Sequence, residues 1–237
     1  MLGPDRRYMT RTQAEAARID VGLRQHMLRV YNYMASGVAL TGIVAYVTAN
    51  TPALFNAIFG TPLAWVVILA PLAFVLVLSF GIHKLSLFAT QALFWTFAAA
   101  MGLSLSTIFV MYTGESIARV FFITAASFGA LSLYGYTTQR DLSAWRSFLF
   151  MGLIGIIIAM VVNLFLQSSA LQFAISVIGV LVFAGLTAYD TQRIKSMYYE
   201  GDAAETAGKK AVMGALALYL DFINLMIMLL HLFGSRR

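Results

Sequence analysis

Long runs of apolar residues, separated by short polar connections, make up most of this chain. Each run has roughly 18 residues or more, enough for a helix to cross the hydrocarbon core of a bilayer. Within the runs the apolar residues are continuous rather than alternating with polar ones, which excludes the strands of an outer-membrane barrel. The pattern predicts seven membrane-spanning helices, at residues 30–49, 63–82, 85–112, 117–136, 147–166, 171–190 and 211–233.

The predicted fold class is therefore all-α, a polytopic membrane protein built as a seven-helix bundle. The connections are short, so consecutive helices are expected to be antiparallel neighbours. Residues 27–237 are assigned to this transmembrane domain. The polar and basic segment 1–26 is expected to lie in the cytoplasm or as a short helix on the membrane surface. It lacks the short apolar core of a signal peptide, so no cleavage is expected.

Small residues recur at four-residue spacing in the first and third predicted spans. Such positions let two helix backbones approach closely in a membrane, where packing rather than hydrophobicity drives association. Ordinary bundle packing accounts for them without a functional role. The residues are Gly37, Thr41, Ala45, Ala98, Gly102 and Ser106.

The distribution of Lys and Arg predicts the orientation of the chain. Thirteen of the sixteen fall on the side of the N-terminus, and three fall on the opposite side: Arg119, Arg236 and Arg237. Basic residues concentrate in cytoplasmic connections, so the N-terminus is expected in the cytoplasm. Seven spans then put Arg236 and Arg237 outside, against the same rule. A re-entrant last helix that returns them to the cytoplasm stays open as an alternative.

Composition narrows the classes of function. Only 11% of the residues are charged, against roughly 25% in a soluble domain. There is no cysteine, which excludes disulfides, thiolate metal sites and cysteine catalysis. The net charge of +6 comes from basic residues predicted to lie near the edges of the membrane, rather than from one basic patch with interleaved aromatic residues. No nucleic-acid partner is therefore expected.

Two aspartates carry the candidate chemistry. Of the ten acidic residues, only Asp190 and Asp221 lie within apolar segments, in the sixth and seventh predicted spans. A bend near residues 202–206 would bring them to a similar depth, and acidic residues inside a membrane usually mark an ion or proton pathway. Two neighbouring carboxylates in a low dielectric share a proton and titrate in coupled steps. The pair is therefore predicted to be a pH sensor, a cation site, or both. Calcium would bind there only weakly, because good calcium sites have six to eight oxygen ligands.

A structural interpretation of the same residues stays open. Asp190 could pair with Arg193, one turn away on the same helix. Asp221 could then be neutralised by Asn224 and a backbone group. Spacing alone does not distinguish this arrangement from a sensor.

Two motifs near the C-terminus resemble the Bax inhibitor-1 (transmembrane Bax inhibitor motif) family: SVIGVLVFAGLTAYDTQRIK and ALYLDFINLMIMLLHLFG. The basic N-terminus, the order of seven spans and WTFAAAMGLSLS in the third span are similar as well. The resemblance covers the chain from about Arg24 onward. It implies six helices around a central seventh, and a pH-dependent calcium leak. It also implies that Asp190 and Asp221 form a hydrogen-bonded pair that senses pH.

The chain departs from some bacterial relatives at two accessory positions. Some bacterial relatives have a second gating pair, formed by an acid in the second span and an arginine late in the seventh. Here the second span has no acid (Ala73 is near that place), and His231 occupies the late position in the seventh span. This second pair is therefore expected to be absent. His231 is about 15 Å along the helix from Asp221, too far to share a metal with it. Where relatives can have an arginine that reaches the sixth-span aspartate, His83 and Lys84 occur. Lys84 is the better candidate cation because it stays charged at neutral pH; contact with lipid phosphate alone is the alternative.

The leading hypothesis is a pH-gated cation (calcium) leak channel of the bacterial inner membrane. A non-transporting regulator of other membrane proteins and a proton-coupled calcium exchanger stay open. An enzyme is not expected. An aspartyl intramembrane protease also uses two acids on adjacent helices, but its motifs are half met, since Asp221 lies in YLDF without glycines. The expected partners are the lipid bilayer and other membrane proteins. The chain is expected to be a monomer without a cofactor, calcium being a transported ion.

Overall fold

The computed structural model describes residues 11–237, with side chains from residue 21 onward. The described chain is helical apart from its connections and one isolated bridge between Tyr112 and Arg236. A 3₁₀ turn at Ser143–Trp145 precedes the sixth helix. The α-helices are α1 (Arg11–Ala49), α2 (Pro52–Phe59), α3 (Leu63–Gly81), α4 (Leu87–Met111), α5 (Gly114–Thr137), α6 (Arg146–Leu166), α7 (Ser169–Ser196) and α8 (Ala204–Phe233).

All seven predicted spans are confirmed as helices that are long and apolar enough to cross a membrane. They correspond to α1 and to α3 through α8. The short helix α2 was not predicted, because its eight residues are too few to span a bilayer. It forms part of the connection between the first two spans.

Short polar residues at the connections determine where several helices begin. The side-chain oxygens of Ser86, Thr113 and Ser168 accept hydrogen bonds from the backbone N–H groups of the first turns of α4, α5 and α7. Such caps satisfy donors that have no partner within the helix. Helix α6 ends at Gln167, which is in the left-handed conformation (φ 49°). These caps keep the connections short and the helices antiparallel.

Helix α1 begins at Arg11, nineteen residues before the predicted span at 30–49. The described part of the basic segment thus continues the first spanning helix instead of forming a separate surface helix. The apolar pattern did not predict this extension, because polar residues interrupt the apolar run without interrupting the helix. The basic residues Arg6 and Arg7 lie outside the described residues. The division between a segment 1–26 and a domain 27–237 stays a prediction.

The alternating helices give the bundle two ends. The basic end carries the start of the α1 span and the connections 82–86, 138–145 and 197–203; the far end carries 50–62, 112–113, 167–168 and 234–237. At the far end the C-terminal residues bond to the α4–α5 connection: Thr113 N–H donates to Ser235 O (3.1 Å), and Arg237 N–H donates to Met111 O (3.0 Å). Helix α8 therefore crosses the whole bundle and is not re-entrant.

Helix α8 is the most buried of the spanning helices. In its most apolar stretch 67% of the residues are buried, against 33% or less in the other six spans. It packs against α1, α4, α5 and α7. Its buried aromatic residues, among them Tyr219 and Phe222, belong to the main core cluster. The stronger prediction, that all six other spans surround it, stays a prediction.

Two glycines mark where helix backbones approach most closely. A Cβ atom at Gly102 of α4 would lie 2.7 Å from the carbonyl oxygen of Thr41 in α1, and one at Gly135 of α5 would overlap the carbonyl of Ala188 in α7. Thr41 and Gly102 of the first contact belong to the small residues noted in the sequence, whereas the residues of the second contact do not. The first contact joins α4 to α1, and the second joins α5 to α7.

Candidate functional site

The carboxyl groups of Asp190 and Asp221 are neighbours in the interface between α7 and α8, close enough to interact with each other. Asp190 lies less than two turns from the end of α7, and Asp221 lies near the middle of α8. Only 5% of the surface of Asp221 is exposed, and 15% of the side chain of Asp190. The structure therefore brings the two predicted site residues close to each other. That it senses pH stays a prediction.

A proton shared with Asp190 would supply Asp221 with a hydrogen-bond donor. Its Oδ2 atom is buried and accepts no hydrogen bond from an N–H or hydroxyl group in the described part of the chain. Two ionised carboxylates are acceptors only, so they cannot bond to each other. A proton held between the two carboxyl groups supplies the missing donor. The arrangement thus suits a pair that shares one proton. Such a pair can lose that proton or gain a second one.

The alternative pairing with Arg193 is present in weak form beside this contact. Arg193 Nη1 lies 3.6 Å from Asp190 Oδ1, and 57% of the arginine side chain is exposed. An ion pair this exposed contributes little to stability. Among the described side chains no hydrogen bond joins Asn224 to Asp221; its Nδ2 donates to Leu220 O in its own helix (2.8 Å). Asp190 consequently has two neighbours of opposite character, one acid and one base.

The accessory candidates lie apart from the pair. His83 and Lys84 are exposed in the α3–α4 connection, and among the described side chains no ion pair or hydrogen bond joins either to Asp190. His231 lies at the far end of α8, where its Nδ1 is 3.1 Å from Nε2 of Gln172. None of the three is therefore brought to the carboxyl pair. Their predicted accessory roles remain untested.

A hydrogen-bonded chain of hydroxyl groups beside Asp190 was missed by sequence reasoning. Tyr31 of α1 bonds to Ser132 of α5 (2.5 Å), and Ser132 bonds to Thr191 of α7 (2.9 Å). Thr191 directly follows Asp190. Single hydroxyl residues are common in membrane helices, so the sequence carries no signal that distinguishes these three.

A second buried hydroxyl contact lies close to Asp221. Thr41 of α1 donates to Ala98 O (2.7 Å), so Tyr219 of α8 must donate to Thr41 (2.6 Å). Tyr219 is two residues before Asp221 and has no exposed surface. Its hydroxyl joins α8 to α1, and Thr41 continues the link to α4.

A polar cavity at the basic end adjoins the pair. Tyr189 and Arg193, which flank Asp190 on α7, line this cavity of about 330 Å³ together with the α5–α6 connection. Asp141 in that connection accepts a hydrogen bond from the backbone N–H of Ser143 (2.8 Å), which holds the pKa of Asp141 below its usual value. The cavity therefore contains charges of both signs.

The donor set at the pair is small. Among residues 21–237 no group of three or more His, Asp or Glu side chains is placed to hold a metal ion. Two carboxyl groups provide far fewer oxygen ligands than the six to eight of a strong calcium site. Contact of calcium with Asp190 and Asp221 would accordingly be weak and short-lived.

Comparison with known proteins places this arrangement in a family. Residues 23–237 match the family described as "Inhibitor of apoptosis-promoting Bax1". The chain is 50% identical over 219 residues to the inner membrane protein YbhL of Escherichia coli K12, with 91% of this chain and 94% of YbhL covered. It is 49% identical over 226 residues to the uncharacterized protein RP147 of Rickettsia prowazekii, covering 95% and 96% of the two chains. The chain belongs to the Bax inhibitor-1 family.

Proposed function

We propose that this protein is a pH-sensitive cation leak of the bacterial inner membrane, with calcium as the ion conducted. The observation that carries the proposal is the contact between Asp190 and Asp221 in an interface with very little exposure. Buried acids in membrane helices are expensive, and they are retained where ions or protons pass. Membership of the Bax inhibitor-1 family supports the same function.

Proton loss and gain at the pair would change the contact between α7 and α8. With one proton, the two carboxyl groups attract each other through a hydrogen bond, and Arg193 stabilises the remaining charge of Asp190. A second proton removes the negative charge, so Arg193 loses its partner and the pair loses its charge-assisted hydrogen bond. The weaker contact lets the helices separate and opens a path between them. Acidification therefore increases the leak.

Two further expectations complete the proposal. The name of YbhL, an inner membrane protein, supports the same membrane for this chain. The excess of Lys and Arg at the basic end supports a cytoplasmic N-terminus. The polar cavity beside Asp190 then opens to the cytoplasm.

The test is calcium flux into liposomes that contain the purified full chain, measured at several pH values from neutral to acidic. We expect flux to rise with acidity in the parent chain and to be nearly independent of pH in the double variant Asp190→Asn, Asp221→Asn. The matched control is Glu115→Gln, an exposed acid at the far end that pairs with Arg119. The control should keep the parent's pH response.

The same assay distinguishes the alternatives. A non-transporting regulator gives no flux at any pH. A proton-coupled exchanger gives flux that saturates with calcium and is driven by an imposed proton gradient. If the double variant keeps the parent's pH response, the assignment of the sensor to Asp190 and Asp221 is wrong.

A further inference from the structure

Two cavities lie side by side at the basic end, between α5, α6 and α7. One is the polar cavity of about 330 Å³ described above. The other is apolar, has a volume of about 210 Å³, and is lined by Leu131, Tyr134, Trp145, Leu149 and Ala184, among others. Tyr189 belongs to the walls of both. A ligand with one polar and one apolar part could therefore occupy the two cavities together.

The apolar cavity is positioned for contact with lipid. Trp145 is 58% exposed and Tyr134 is 48% exposed, both near the ends of spanning helices. Tryptophan and tyrosine are enriched where hydrocarbon meets the headgroup region of a bilayer. The mouth of this cavity thus lies at the boundary where an acyl chain joins its headgroup.

The polar cavity contains two arginines held near each other. Arg140 and Arg193 both line it, with the single exposed carboxylate of Asp141 between α5 and α6. Gln192 ties the backbone of the α5–α6 connection to α7, because its Nε2 donates to Arg140 O (2.8 Å) and its Oε1 accepts from Leu142 N–H (2.8 Å). The loop that carries Arg140 is thereby tied to the helix that carries Arg193. Two guanidinium groups that line one cavity are suited to a phosphate.

We propose that these cavities form a binding site for an anionic phospholipid. The phosphate lies between Arg140 and Arg193, and part of one acyl chain fills the apolar cavity. Basic pockets between membrane helices bind the headgroups of anionic lipids in this way. A free phosphate ion would use only the polar half. The adjoining apolar cavity is therefore the reason to choose a lipid.

Arg193 links this site to the carboxyl pair. Its guanidinium is 3.6 Å from Asp190, so a bound phosphate competes with that aspartate for the same cation. Lipid binding would then raise the leak at a given pH by withdrawing the positive neighbour of Asp190. This link rests on the proposed function, whereas lipid binding itself does not.

The test uses the fluorescence of Trp145 in the full chain carrying Trp65→Phe and Trp95→Phe, which leaves one tryptophan. The chain is placed in phosphatidylcholine vesicles with increasing fractions of phosphatidylglycerol brominated on its acyl chains, since bromine quenches a tryptophan that it contacts. We expect quenching at lower fractions than with brominated phosphatidylcholine. Arg140→Gln and Arg193→Gln should each reduce this preference about tenfold, the effect of losing one charged hydrogen bond.

Three controls separate the site from general attraction. Arg146→Gln removes a neighbouring exposed arginine that does not line the polar cavity, and should keep the preference. Ala184→Phe fills the apolar cavity and should abolish the preference while both arginines remain; its thermal unfolding is measured to show that it folds. Inorganic phosphate should not restore fluorescence beyond a chloride control of equal ionic strength.

Opposite outcomes overturn the proposal. Equal quenching by the two brominated lipids, or equal losses in Arg140→Gln and Arg146→Gln, would mean that lipid surrounds the protein without a specific site. Release of the quenching by inorganic phosphate would mean that the arginines bind a free anion. Because quenching does not depend on transport, these results stand apart from those of the flux assay.

Discussion

Asp190 has an acidic neighbour, Asp221, and a basic neighbour, Arg193. The two neighbours are expected to affect the pH response in different ways. Asp221 shares a buried contact with Asp190, whereas Arg193 reaches it from an exposed position at 3.6 Å. Exposed ion pairs are typically worth less than about 1 kcal/mol, so the arginine can adjust the pair but not define it. The acid neighbour is expected to control the response.

Single substitutions separate the two neighbours. Asp221→Asn replaces the shared proton by a permanent amide donor, so calcium flux should become nearly independent of pH. Arg193→Gln removes only the exposed cation and should shift the pH of half-maximal flux while leaving the response in place. Liposome flux measured across a pH series checks both. The reverse result, with pH response lost in Arg193→Gln and kept in Asp221→Asn, would support the structural interpretation of Asp190.

The residues that could be predicted from the sequence are of types that are rare in membrane helices, whereas the residues that were missed are of common types. Asp190 and Asp221 stand out because a charge inside an apolar run is rare. Tyr31, Ser132 and Thr191 do not, because uncharged hydroxyl residues are common in membrane helices; Thr191, for example, also bonds to Thr187 O of its own helix. Their pairing depends on the relative rotation of α1, α5 and α7, which a single sequence does not reveal.

At the scale of elements, the close packing of α5 on α7 is the contact most sensitive to volume. Gly135 of α5 has no space for a Cβ atom because the backbone of Ala188 in α7 is against it. Gly129 lies on the same helix, with nothing within 4 Å of a Cβ at its position. The two glycines therefore form a matched pair for substitution.

Gly135→Ala should lower the free energy of unfolding by about 1–3 kcal/mol, as expected when a well-packed interface is overfilled. Gly129→Ala should leave it unchanged or raise it by up to about 1 kcal/mol, because alanine favours helix more than glycine does. Thermal unfolding of the purified chain in one detergent measures both. Equal stability of the two variants would show that α5 and α7 are not held at this distance.

The elements themselves were largely predictable, and the exceptions have physical reasons. Continuous apolar runs predicted the seven spans, because runs of about 18 or more apolar residues are typical of membrane-spanning helices. The extension of α1 to Arg11 was missed because helix formation does not require apolar residues. Helix α2 was missed because its eight residues resemble a loop between two spans.

At the scale of the whole molecule, cysteine labelling can determine which end of the bundle faces the cytoplasm. The chain has no cysteine, so single cysteines can be introduced without removing any. Gln139 is exposed at the basic end, and Asn50 is exposed at the far end. Each substitution therefore reports one side of the membrane.

With intact cells and a maleimide that does not cross membranes, Asn50→Cys should react and Gln139→Cys should react only after the membrane is permeabilised. This follows from the excess of basic residues at the end that carries Gln139. Gel-shift labelling measures the outcome, and the cysteine-free parent is the control. Reaction of Gln139→Cys in intact cells would reverse the proposed orientation and move the polar cavity to the outer side.

Helix α1 contacts both of the helices that carry the acids, each time through a hydroxyl group close to the acid in sequence. Thr41 bonds to Tyr219, two residues before Asp221, and Tyr31 is joined through Ser132 to Thr191, the residue after Asp190. Both acids are therefore linked through hydroxyl groups to one helix, which extends to Arg11. A force or a bound protein that tilts this helix would act on both acids at once.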